Sequence, residues 1–94
     1  MVNELITDKA KLQNRIQNKK AEILTLKHLI SLKETELLLN TDFKELGYTN
    51  EKQRTAYVNS QLRQDKEELD WLKYDLTILE NDIIILNDLI NKGD

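Results

Sequence analysis

A chain of 94 residues with no proline and with glycine only at Gly47 and Gly93 has almost nowhere to turn. Proline and glycine are the residues that most readily end or redirect a helix, so their scarcity permits long uninterrupted helices everywhere except near residue 47. The rest of the composition agrees. Leu, Ile, Lys, Glu, Asp, Gln and Asn dominate, charged residues make up 33% and aromatics 5%, a profile of long helix or coiled coil rather than of sheet or an aromatic-rich globule.

Apolar residues recur at three- and four-residue steps from about Asn3 to Leu46, with Leu5, Leu12, Ile16, Ile23, Leu26, Ile30 and Leu37 on one stripe. That spacing predicts a first helix over about 3–46. The turn is expected at 47–50, where Gly47 can take the left-handed conformation that closes a helix and Thr49 or Asn50 can accept from the free amides of the next one. Glu51 then stands in a first turn, where the helix dipole favours an acid. A second helix over about 50–91 carries the more regular pattern: Val58, Leu62, Asp65, Leu69, Leu72, Leu76, Leu79, Ile83, Leu86 and Ile90 form a heptad seam with a single polar member. At ~1.5 Å per residue each helix would be ~60 Å long. The expected fold is therefore all-α, a single domain over 1–94 folded as an antiparallel helical hairpin.

Charge favours the same pairing. Lys9, Lys11, Arg15, Lys19, Lys20 and Lys27 cluster in the first helix against Glu22, while Asp65 to Asp94 holds nine acids against Lys66, Lys73 and Lys92. Folding back near Gly47 sets the basic end beside the acidic end. Lys33 interrupts the first seam and Asp65 the second, and the fold-back brings them within about one helical turn of each other. Polar residues at seam positions can set register. A Lys33–Asp65 register pair is the expectation, with a coincidence of two tolerated polar residues as the alternative.

The seam leaves apolar residues over. Leu29, Leu32, Leu39, Phe43 and Leu46 follow a second three-four pattern broken by Glu36, and Trp71, Tyr74, Ile78 and Ile85 line a face of the second helix away from the seam. Withdrawing four or five such side chains from water offers on the order of 10 kcal/mol toward association, and patches of this kind mark interfaces. The simplest use is a homodimer in which two hairpins form a four-helix bundle. The competing use is docking of a different protein, and Trp71 is compatible with a hot spot there, although a Trp at helical spacing among Leu and Ile is more often plain core.

Nothing in the chain assembles a catalytic or metal-binding constellation. Cysteine is absent and His28 is the one histidine, so no standard zinc site or thiol nucleophile can be built, and His28 reads as a surface residue. Carboxylate pairs such as Glu67 with Glu68, or Asp75 with Asp82, sit among many solvated acids, and no phosphate loop or hydrolase motif occurs. The expectation is a non-enzyme without cofactor. No apolar run approaches the ~20 residues needed to span a membrane, and no leader or need for an oxidising compartment is legible, which suggests the cytoplasm. The net charge of −3 argues against a dedicated nucleic-acid binder. The basic stretch Lys9 to Lys27 keeps that reading as a third choice, but it has no interleaved aromatics.

The turn is the most individual segment. Tyr48, Arg54 and Tyr57 are suited to recognition, although capping explains much of what surrounds them. Leu46 to Arg54, continuing through Ala56-Tyr57-Val58 to Gln61-Leu62 and Asp65, resembles a pattern in small accessory proteins of phages and prophages of Gram-positive bacteria, in which a Thr-Asn-Glu-like cap precedes an Arg and a long amphipathic helix. The resemblance covers about twenty residues. It implies a small phage protein that binds a host or phage protein, as an inhibitor or modulator, and it carries over no catalytic residue. A structural coiled-coil spacer or assembly factor is the alternative.

Overall fold

The structure, a computed structural model, describes residues 2–93 and is all-helical: α1 is Val2–Asn40, α2 is Glu51–Gln61 and α3 is Arg63–Lys92. Contacts divide the chain into two units. The terminal unit combines Met1–Leu24 with Trp71–Asp94, and the central unit is Thr25–Asp70.

In the terminal unit the first part of α1 lies beside most of α3. Ile16, Ile23 and Leu86 are buried, and Leu5, Leu12, Leu72, Leu76, Leu79, Ile83 and Ile90 are half-buried. In the central unit Leu26 and Ile30 of α1 are buried with Val58 of α2 and with Leu62, while Leu37 and Leu69 are half-buried. Every residue of the two expected seams is thus withdrawn from water. A pair of helices can close only one stripe between them, which is why most seam residues remain half-buried rather than enclosed.

Three boundaries differ from the sequence expectation. The first helix ends at Asn40 and not near Leu46. Asp42 competes for the backbone: its Oδ1 accepts from the Glu45 amide at 3.0 Å, which caps a separate single turn. That turn closes at Gly47, whose φ is +80°. The Tyr48 amide reaches back to the Phe43 carbonyl at 2.8 Å and the Gly47 amide to the Lys44 carbonyl at 3.1 Å, the paired closure that a left-handed glycine permits. Gly47 therefore has the expected conformation but ends a short turn rather than the long helix. The connection accordingly runs over 41–50 and not 47–50.

The third difference is an interruption at Leu62, which lies between α2 and α3 with φ −98° and ψ 5°. The ladder is only locally disturbed, since the Leu62 amide donates to the Val58 carbonyl at 3.1 Å and its own carbonyl accepts from Lys66 at 2.9 Å. Two residues before, the Ser60 hydroxyl donates to the Tyr57 carbonyl at 2.6 Å, a side-chain bond that competes with the regular ladder. Leu62 itself is 1% exposed, the deepest side chain described.

Candidate interaction surfaces

The start of α2 is held by reciprocal caps. Asn50 Oδ1 accepts from the Gln53 amide at 2.9 Å, Gln53 Oε1 accepts from the Thr49 amide at 2.9 Å, and Arg54 Nη2 donates to the Thr49 carbonyl at 3.3 Å. These bonds satisfy helix-start amides and orient the connection. Phe43, Tyr48 and Tyr57 then cluster: Tyr57 meets Phe43 edge-on with ring centroids 6.0 Å apart and Tyr48 at 5.6 Å. All three rings are half-buried, and of the turn's recognition candidates only Arg54 is exposed.

This cluster corrects one assignment. Phe43 was expected on the second apolar stripe by helical spacing, but α1 has ended before it, so the spacing no longer applies and the ring packs on Tyr57 instead. Leu46 also lies beyond the helix. Leu32 and Leu39 are within it and are exposed, Leu39 at 78%.

Lys33 and Asp65, expected as a register pair, are brought together: Lys33 Nζ donates to Asp65 Oδ2 at 2.8 Å, with the two side chains 44% and 24% exposed. The pair borders an open groove of about 350 Å³ lined also by Glu36, Leu37, Asn40, Thr41, Gln61 and Leu62. Periodicity alone indicates neither the groove nor the place of Asn40 and Thr41 in its wall.

In the terminal unit, Trp71, Tyr74, Ile78 and Ile85 are all exposed, Trp71 at 68% and Ile85 at 58%. Trp71 and Tyr74 stack edge-to-face at 6.1 Å. Spacings of three, four and seven put the four residues on one face of α3. The expected second stripe thus falls into two parts: its α3 residues belong to the terminal unit and its first-helix residues to the central unit. Beside Ile78 an open groove of about 400 Å³ is walled by Arg15, Asn18, Lys19, Glu22, Asp75 and Leu79. The three-four spacing of Arg15, Asn18 and Glu22 is the sequence signal for this row. Intramolecular or intersubunit charge pairing is the expected use of the basic stretch. Among the described residues of this unit, however, the ion pair formed lies within α1, Lys19 to Glu22 at 3.5 Å. Seam residues hold the two helices closest together, leaving the charged side chains on the outer flanks in water.

His28 is exposed, and no polar or charged residue described is buried. Among the described residues, no group of three or more His, Cys, Asp or Glu is placed to hold a metal ion. No helix described is long and apolar enough to cross a membrane. No protein-family model, curated protein or solved structure matches the chain.

Proposed function

We propose that the chain is a non-catalytic protein-binding module that acts by occupying a surface of another protein. The observation that carries this reading is the exposed face of α3, where Trp71, Tyr74, Ile78 and Ile85 lie together in water. A contiguous apolar face containing Trp and Tyr is costly to leave wet and well suited to anchor a partner. No titratable group described is buried, and those that line the two grooves lie in open ones, which supports binding over chemistry.

The segment from Leu46 to Asp65, similar to small accessory proteins of phages, supports a phage-encoded inhibitor or modulator working in the host cytoplasm. Self-association of two chains into a four-helix bundle belongs to the same reading, because a two-fold axis covers one apolar face with its own copy. A structural coiled-coil spacer is the second reading, favoured by the apolar seam residues withdrawn from water in both units.

The test is affinity capture from a Gram-positive host lysate with the wild type and with Trp71→Glu. One saturable protein partner, retained by the wild type and lost with the variant, is the expected result. Recovery of nucleic acid alone would overturn the proposal, and recovery of virion parts alone would favour the spacer.

A further inference from the structure

We infer that the occupant of the terminal unit's exposed α3 face is a basic amphipathic helix of another protein, with an uncharged apolar stripe about four turns long edged by Lys or Arg. The inference rests on reading that face as a binding surface and names the chemistry of its partner.

In a helix paired with one neighbour, the positions turned away from the seam normally hold the charges, because those side chains stay in water. α3 departs from this. The face opposite its seam holds Trp71, Tyr74, Ile78, Ile84 and Ile85, which are 41% to 68% exposed, with exposed Thr77 and Asn81 between them. No charged residue falls on it from Trp71 to Ile85, although 33% of the chain is charged. The charged residues of the same stretch, Lys73, Asp75, Glu80 and Asp82, lie instead on the two borders between this face and the seam. α3 is thus apolar on two opposite sides, as a helix covered by two neighbours is.

The face suits a helix better than an extended segment. Its polar groups are the hydroxyls of Tyr74 and Thr77 and the amide of Asn81, too few to pair the backbone of an extended chain, whereas a helix pairs its own. Three-four ridges also fit the grooves of a second helix.

Charge sets the partner's sign. From Trp71 to Lys92, α3 carries Asp75, Glu80, Asp82 and Asp88 against Lys73 and Lys92, whereas α1 up to Leu24 carries Lys9, Lys11, Arg15, Lys19 and Lys20 against Glu4, Asp8 and Glu22. The unit is therefore acidic along α3 and basic along α1. Arg15 and Lys19 share the groove beside Ile78 with Glu22 and Asp75, so the charges there balance. Asp82 and Asp88 lie outside that groove, and among the described residues neither forms an ion pair. Helix axes pack ~8–10 Å apart, about one Debye length in physiological salt, so the cations of α1 are largely screened at the outer side of α3. A helix arriving there meets Asp82 and Asp88, and Lys or Arg on its edges is the complement.

Trp71 is the one tryptophan, so its emission reports coverage of this face. The probes are ~18-residue synthetic helices without Trp that share one Leu stripe and differ in their edge residues, which are Lys, Gln or Glu. At low salt the Lys-edged peptide should shift Trp71 emission to the blue and bind roughly tenfold more tightly than the Glu-edged one, with the Gln-edged peptide between them. The difference should shrink as salt is raised. Asp82→Lys with Asp88→Lys, both at exposed positions, should leave the far-UV circular dichroism unaltered and reverse the order. Equal binding of the Lys- and Glu-edged peptides overturns the inference, as does Trp71 emission that no peptide moves. A wild type that sediments as a dimer at ~100 μM with Trp71 emission already blue gives the face to a second copy and overturns it too. Capture of a protein through Trp71 when no peptide binds overturns this inference and leaves the binding reading standing. Peptides bound in the expected order, with no protein captured from the lysate, support this inference and count against the other.

Discussion

Lys33 and Asp65 occupy seam positions that leucine or isoleucine holds elsewhere, and their contact allows a quantitative test. At 2.8 Å the Coulomb attraction is ~6 kcal/mol with an effective dielectric constant of ~20 and ~1.5 kcal/mol in bulk water. The side chains are 44% and 24% exposed, so screening brings the interaction toward the lower value. The screened attraction, less part of the lysine's side-chain entropy, leaves a net coupling of ~0.3–1 kcal/mol, the range of solvent-exposed ion pairs. The perturbation is a double-mutant cycle of Lys33→Met, Asp65→Leu and the double variant, followed by urea unfolding with far-UV circular dichroism. Asp65→Leu alone leaves a lysine that reaches water, so each single change should alter stability by no more than ~1 kcal/mol. The double variant, which restores an apolar seam, should be more stable than wild type by ~1–2 kcal/mol. If the pair sets register, the double variant should also unfold less cooperatively, because slipped pairings no longer strand a charge. Coupling below ~0.3 kcal/mol would refute the energetic argument, and a wild-type denaturant slope in the double variant would refute the register role.

Two further predictions follow from local geometry. At Gly47 an added Cβ would meet nothing within 4 Å, so Gly47→Ala should cost only the left-handed backbone penalty, ~1–2 kcal/mol. Gly47→Asn should cost less, and a thermal melt of both variants decides this. Leu62→Ala empties the most enclosed position and should cost ~2–5 kcal/mol by urea denaturation. A loss under ~1 kcal/mol would show that the helix interruption lets the site collapse around the smaller side chain.

The sequence by itself determined the helical class and the seams. Both follow from local rules, the near absence of helix breakers and a three-four apolar period, and each seam residue from Leu5 to Leu37 and from Val58 to Ile90 is withdrawn from water as that period requires. The approach of Lys33 to Asp65 was legible for a related reason: both interrupt a seam, and a fold-back near residue 47 leaves little choice of register. The end of the first helix was not legible from apolar spacing, because Leu39, Phe43 and Leu46 continue the three-four steps past the point where the backbone leaves the helix. Asp42 with Glu45 three residues on was a visible capping signal, yet only the tertiary structure shows Phe43 drawn onto Tyr57. The interruption at Leu62 carries no glycine or proline, and beside it stand the Ser60 hydroxyl bonded to the Tyr57 carbonyl and the buried Leu62 side chain. The surfaces divide in the same way. Periodicity identified Trp71, Tyr74, Ile78 and Ile85 as one face, but which α1 residues stand beside Ile78 depends on how the two helices are paired in space. That pairing brings Arg15, Asn18, Lys19 and Glu22 to the groove, since a helix's own period orders its residues around one axis and contains no information about the neighbour across the seam.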